Sequence, residues 1–464
     1  MRNAELKWVV LAAVLATAAP AAAQTSLSIY ADGRVVVRKT LPQALERGRN
    51  TVTLRLEGLD PATLFSPDSS VTVASAVVRQ PSGKDDALRA AVGQTLSFVR
   101  DKGDTIRATV VRVDPPQYKL SDGRLLLGQP GEPLFPAGVV RTSPEATLVV
   151  EAARARPRTE LAYVAQGAKW EALYQVVLGG RGIAGISGSA TVSSERLRAD
   201  SADVHLVSGS INRTRFPAEA GLRLDAVVLT GVAQGEARQG FTGPEERAVG
   251  ETHVYHLPGK LTLEPGVSAT TALFPRATVA YTQEFVVPGA LPWRGWIGQS
   301  PEPNRLAVQV WYTLKRDRGS AFGRRPLPVG TVQLYQADSA GQVQLVGEAT
   351  IMHTPAGRDV RVQSGNAFDV TVERVQTDFT QEQLPPPRRG VPGRQRLTAA
   401  YRVTITNAKT EAVTVDVREA RYGMWRIVES SIPAEKLSAT ESRFRVPVPA
   451  GGEAVLTYTV QLES

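Results

Sequence analysis

Again and again along this chain, apolar side chains fall on every second position, and a period of two commits a chain to strands. Residues 50–57 set Val52, Leu54 and Leu56 against Thr51, Thr53 and Arg55, and residues 396–406 and 453–462 repeat the pattern. That alternation lines one face of a half-buried strand with apolar groups. Further runs rich in Val, Thr, Leu and Tyr lie at 34–39, 71–79, 104–113, 147–152, 161–165, 172–178, 278–287, 305–314, 331–335, 368–375 and 443–448. Turn signals separate them: Asp32-Gly33, Asp122-Gly123, Asn407-Ala408-Lys409 and Gly451-Gly452. Many short strands at hairpin spacing predict an all-β protein of several antiparallel β-sandwiches.

One segment departs from the period. Residues 85–91 carry Asp85 and Asp86 ahead of Ala87, Leu88 and Ala91, which predicts a short helix ended by Gly93 and followed by a strand over 94–100. Boundaries are read from breakers. Pro81-Ser82-Gly83, residues 154–157, residues 288–303 and the Pro-rich stretch 385–393 interrupt the strands. The resulting partition is an N-terminal β unit (24–81), a small β-barrel-like insertion (82–144), a central sandwich (145–290) and a C-terminal immunoglobulin-like region (291–464).

The first 23 residues are read apart from this fold. Arg2 and Lys7 precede an apolar run over 8–19, then Pro20 and Ala21-Ala22-Ala23 before Gln24. That is the layout of a secretory signal peptide cleaved ahead of Gln24, and the run is too short for a membrane anchor. The chain is therefore expected in the periplasm or at the cell surface of a bacterium. It contains no Cys, so disulfides, thiolate metal sites and a Cys nucleophile are all excluded. Its cores must hold the fold unaided.

Candidate chemistry is sparse. Gly180-Arg181-Gly182-Ile183-Ala184-Gly185 fits G-x-G-x-x-G. A dinucleotide site would need a helix directly after it, however, and residues 186–192 continue as strand, which predicts a hairpin instead. His253 and His256, three apart on a strand, point to opposite faces. With His205 and His353 they are read as structural, and no metal or cofactor is implied. No G-x-S-x-G, H-E-x-x-H or P-loop pattern occurs, and no catalytic residue is assigned.

Charge offers a binding reading. Lys and Arg number 54 against 45 Asp and Glu, a net charge of +9. Arg clusters lie at Arg154/Arg156/Arg158, Arg213/Arg215, Lys315/Arg316/Arg318 with Arg324/Arg325, and Arg388/Arg389 with Arg394/Arg396. Guanidinium forks suit carboxylate and phosphate, so the clusters are read either as ordinary solvated surface charge or as a site for an anionic envelope polymer or lipid headgroup. Aromatic residues do not interleave with these clusters, which argues against nucleic acid. Trp293, Arg294 and Trp296, set among prolines, form either a recognition loop or a plug for a sandwich end. The candidate binding surface is thus Trp293, Arg294, Trp296, Arg316, Arg318, Arg324, Arg325, Arg388 and Arg389.

Five stretches taken in order carry a resemblance: SIYADGRVVVRKT (28–40), TELAYVAQGAKWEALYQVVL (159–178), VYHLPGKLTL (254–263), GTVQLYQAD (330–338) and YRVTITNAKTEAVTVDVREARYGMWRIVESS (401–431). Gly167, Trp170, Tyr174, Asn407, Lys409, Glu419 and Trp425 are its landmarks. The chain resembles bacterial exported proteins of domain of unknown function 4139, whose longer members are similar to mucoidy-inhibitor A. It departs from them in having Ser193-Ser194-Glu195-Arg196 where an Asn-x-Ser/Thr-Gly turn is common, and in lacking their long coiled coil. The resemblance implies an all-β exported protein and brings no catalytic residues. Trp170 and Tyr174 are expected inside the central sandwich, and Trp425 in the C-terminal core. Together these readings predict a non-catalytic envelope protein that binds or scaffolds envelope proteins, and anionic glycans or headgroups behind them. The alternative is a hydrolase of envelope polymer.

Overall fold

The computed structural model describes residues 24–463 apart from 57, 102, 137–139, 142–143, 210–243, 290–302 and 386–392. Strands dominate, as the alternation predicts, and the chain divides into two compact units. Among the described residues, no helix is long and apolar enough to cross a membrane.

The first unit comprises described residues within 24–170, 192–207 and 254–269. Its larger sheet places Glu160–Gln166, Arg34–Thr40, Thr25–Tyr30, Ala199–Ser208 and Thr252–Leu263 side by side in that order. Leu27, Ile29, Val35, Val204 and Leu206 are fully buried, while Ser26, Ser28, Arg34, Val36, Asp203 and His205 beside them are only partly so. A second sheet sets Glu145–Ala152 between Gly48–Arg55 and Val71–Arg79. Trp170 is buried as expected, and its Nε1 donates to the Val207 carbonyl at 3.2 Å.

The helix forms where the sequence predicts it, over Lys84–Ala90, and Gly93 then takes a φ of +86° ahead of the strand Thr95–Val99. Leu88 and Ala91 join Leu96, Phe98, Val110 and Tyr118 in a small core of their own. The expected barrel-like closure does not occur. Five strands form an open sheet edged by Leu125–Leu127 and Glu132–Leu134, each three residues long and so too short to complete a circle.

The second unit holds a long sheet and a five-stranded sheet that face each other at the C-terminal end. Phe444 of Glu441–Val448 meets Tyr458 of Glu453–Glu463 across the two sheets, with centroids 4.9 Å apart. Between the same sheets Glu419, 2 % exposed, accepts hydrogen bonds from Arg374 at 3.0 Å and from the Tyr458 hydroxyl. Arg374 also lies 3.8 Å from the Tyr401 ring centroid. Burial raises the Tyr458 pKa well above 10, so the phenol stays a donor to the carboxylate.

Trp425, expected in this core, is only half-buried and donates to the Ala439 carbonyl at 3.1 Å. Its strand, Met424–Ser430, pairs on one side only, with Glu453–Glu463, and such a sheet edge leaves an indole in contact with water. Asn407 is fully buried and stitches turns together: its Nδ2 donates to the Glu411 and Pro449 carbonyls at 2.9 Å, and its Oδ1 accepts from Lys409 N at 3.0 Å.

The glycine-rich stretch is a tight turn over Gly180–Gly182 between two strands, as the hairpin reading predicts. Gly188 then lies under the Phe274 ring; a Cβ there would stand 2.3 Å from Cε1. The bare backbone thus lets Phe274 stack on Tyr174 and meet Phe322. Antiparallel pairing is joined by parallel pairing, as of Thr25–Tyr30 with Ala199–Ser208, Ala168–Leu178 with Gly330–Ala337, and Ser268–Val287 with Val413–Ala420.

Candidate functional site

Of the residues that sequence reasoning placed on a binding surface, Trp293, Arg294, Trp296, Arg388 and Arg389 lie outside the described residues. Arg316 requires a correction. It is 4 % exposed, and its guanidinium donates to the carbonyls of Phe322, Pro355, Arg358 and Arg325. A guanidinium has five N–H donors in a rigid fork, and here they fasten the loop after Gln309–Leu314 to the loop before Val360–Asn366. In the first of these loops a Cβ on Gly323 would overlap the Asp317 carbonyl, so only glycine fits. Arg325 is half-buried and donates to the Pro244 carbonyl at 2.7 Å. Arg318 and Arg324 are exposed.

Other basic clusters are also drawn into internal pairing. Arg156 binds Asp68 at 2.8 Å, Arg158 binds the Gln24 amide oxygen at 2.8 Å, and Arg396 binds Glu463 at 2.9 Å and Glu382 at 3.3 Å. Arg156, Arg158, Arg316 and Arg396 are thus held by partners within the fold, Arg318 and Arg324 stay exposed, and Arg213 and Arg215 lie outside the described residues.

Polar side chains converge instead on the outer face of the first unit's larger sheet. Alternation turns Ser26 and Ser28 outward from Leu27 and Ile29, and Asp203 and His205 outward from Val204 and Leu206. The parallel register then sets Ser26 beside Asp203 and Ser28 beside His205. On the other flank Arg38 lies opposite Ser26 and donates to its hydroxyl at 3.0 Å. His256, outward between Tyr255 and Leu257, stacks on His205 with ring centroids 4.7 Å apart and 24° between planes. Gln24 Nε2 donates to Asp203 Oδ2 at 2.7 Å. With Glu160 these groups, Ser28 excepted, line an open cleft of about 330 Å³.

Chemically the cleft mixes donors and acceptors. Asp203 and Glu160 accept, Arg38 and the Gln24 amide donate, and each neutral imidazole carries one donor and one acceptor. Ser26 accepts from Arg38, an arrangement that holds its hydroxyl but does not activate it as a nucleophile. Among the described residues, no group of three or more His, Asp and Glu side chains is placed to hold a metal ion. His205 and His256 are 51 residues apart, and sequence reasoning took each for a structural residue. The only signal it had was the outward D-x-H spacing of Asp203 and His205.

The remaining histidines sit elsewhere. His253 pairs with Glu246 at 2.7 Å. His353 Nδ1 lies 3.0 Å from Ser208 Oγ and accepts the Val329 N–H at 3.3 Å. Burial first, and then nearby His253, hold the His353 pKa below its ordinary 6.5, which keeps Nδ1 available as an acceptor. A second groove, of about 540 Å³, crosses the C-terminal five-stranded sheet and is lined by Arg305, Thr371, Glu373, Thr404, Thr406 and Glu453. No family model matches the chain, and no curated protein sequence matches it.

Proposed function

We propose that the protein is an exported, non-catalytic component of the bacterial cell envelope that binds or scaffolds other envelope components through the faces of its β-sheets. The observation that carries this reading is the division of labour among polar groups. Glu419, Arg374 and Arg316 are spent inside the fold, whereas Arg38, Asp203, His205 and His256 are displayed together on an open sheet face. Such a face can engage a surface without enclosing a substrate, and enclosure is what most catalysis requires. Exposed Arg318 and Arg324 support a contribution from anionic partners, either glycan or lipid headgroup.

The test is retention of the purified chain by isolated envelope material at about 50 mM and about 500 mM salt. Retention in both buffers identifies a packed contact with an envelope protein. Loss at high salt identifies an anionic partner, and no retention in either refutes the reading.

One observation favours a second reading, a hydrolase of envelope polymer: two carboxylates and two imidazoles share one cleft. Release of soluble fragments from envelope polymer, abolished by Asp203→Ala, would establish that reading and displace the first.

A further inference from the structure

We propose that the cleft on the first unit's larger sheet is a binding site for an uncharged saccharide, with Asp203, Arg38, His205 and His256 as its principal contacts. This inference rests on the binding reading above and names the ligand class for this one face.

Charge selects the ligand. Asp203 and Glu160 line the cleft with Arg38, and Arg158 reaches its edge through the Gln24 amide oxygen. The lining carries both signs, Asp203 and Glu160 against Arg38, and Arg158 beside it adds a second positive charge, so neither an anion nor a cation meets a wall of uniformly opposite charge. A phosphate would face both carboxylates, and a metal ion lacks the convergent ligands it needs. An apolar ligand would strip water from side chains that are all polar, at a cost nothing in the cleft offsets.

A hydroxyl, by contrast, both donates and accepts, and the cleft offers both kinds of partner side by side. Carboxylates accept hydrogen bonds from hydroxyl groups, while the guanidinium and the amide N–H groups donate to hydroxyl oxygens. The imidazoles do either, according to tautomer.

Geometry adds extent. Arg38, Ser26, Asp203/His205 and His256 stand on four successive strands. With neighbouring strands about 4.8 Å apart, they form a row about 14 Å long. A row of alternating donors and acceptors matches a short oligosaccharide lying across the strands better than a single small polar molecule. The sheet backbone fixes each position, so the groups are held in place before a ligand arrives.

The experiment is titration calorimetry of the full chain, produced with its own N-terminal segment. The probes are chitotriose, cellotriose and maltotriose, with inorganic phosphate and zinc chloride as alternatives. At least one trisaccharide is expected to bind, and Asp203→Ala and His256→Ala are each expected to weaken it tenfold or more without lowering the melting temperature. These side chains face outward, so both variants should fold; if either melts early, Arg38→Gln supplies the replacement measurement. The proposal is overturned if no trisaccharide binds, if binding is indifferent to all three substitutions, or if phosphate or zinc binds at the cleft instead. Retention by envelope material without trisaccharide binding would sink this inference and leave the broader function standing, whereas loss of both would remove the two together.

Discussion

At the residue scale, two tryptophans that look alike in sequence differ in their setting. Trp170 is 2 % exposed with its indole N–H bonded to a buried carbonyl, while Trp425 sits half-exposed on an edge strand. Trp170→Ala is therefore expected to cost about 3–5 kcal/mol and Trp425→Ala well under half of that. Denaturant unfolding of both variants checks it, and equal losses would contradict the burial. Arg316 makes the same point about charge. Arg316→Lys keeps the charge but offers one compact ammonium in place of a fork, leaving several carbonyls without their donor. A loss of about 2–3 kcal/mol is expected, again read from unfolding, with no change in retention by envelope material under conditions where the variant is folded.

Strands and loops carry the next level. The hairpin turn at Gly180–Gly182 and the helix over Lys84–Ala90 were legible because their signals are local: glycines between two alternating runs, and acidic residues ahead of a short apolar stripe. The loop around His353 was not, because its partners Ser208 and Val329 come from distant parts of the chain. Its consequence is a pH dependence whose sign is fixed. The His353 pKa is lower in the folded chain than the unfolded value of 6.5, so the unfolded chain takes up the proton more readily. The stability this ring contributes is complete above about pH 6.5 and is lost as pH falls through the folded value. Because the His353 ring is only partly buried, solvent screening should keep the loss below about 1 kcal/mol. Melting curves between pH 7.5 and pH 5 should show a decline that His353→Asn flattens; an unchanged slope would contradict this origin.

For the whole molecule, the division into two compact units has a thermodynamic consequence. Trp170 anchors one unit and Glu419 the other. Glu419→Gln leaves Arg374 buried without its counter-charge, and breaking such a pair costs about 3–5 kcal/mol. Calorimetry is expected to show an unfolding transition broader than two-state. Trp170→Ala should shift one part of it and Glu419→Gln another. A single two-state transition moved equally by both substitutions would contradict this.

What the sequence determined on its own is the part of the protein governed by neighbours in the chain. Alternation settled the all-β class and most of the strand positions that face a core, and local breaks in it marked the helix over Lys84–Ala90 and the glycine turn. Tertiary structure decided what distant segments do to one another. Parallel pairs cannot be closed by a hairpin, so nothing local announces that Thr25–Tyr30 lies against Ala199–Ser208. Yet that pairing brings Ser26 to Asp203, and the next strand brings His256 to His205. Equally, a guanidinium reads as a charge in sequence whether it meets water or four carbonyls, and only the folded chain turned Arg316 into a clasp. The physical reason is common to both cases: side-chain direction is set by local backbone geometry, whereas its partner is set by long-range packing.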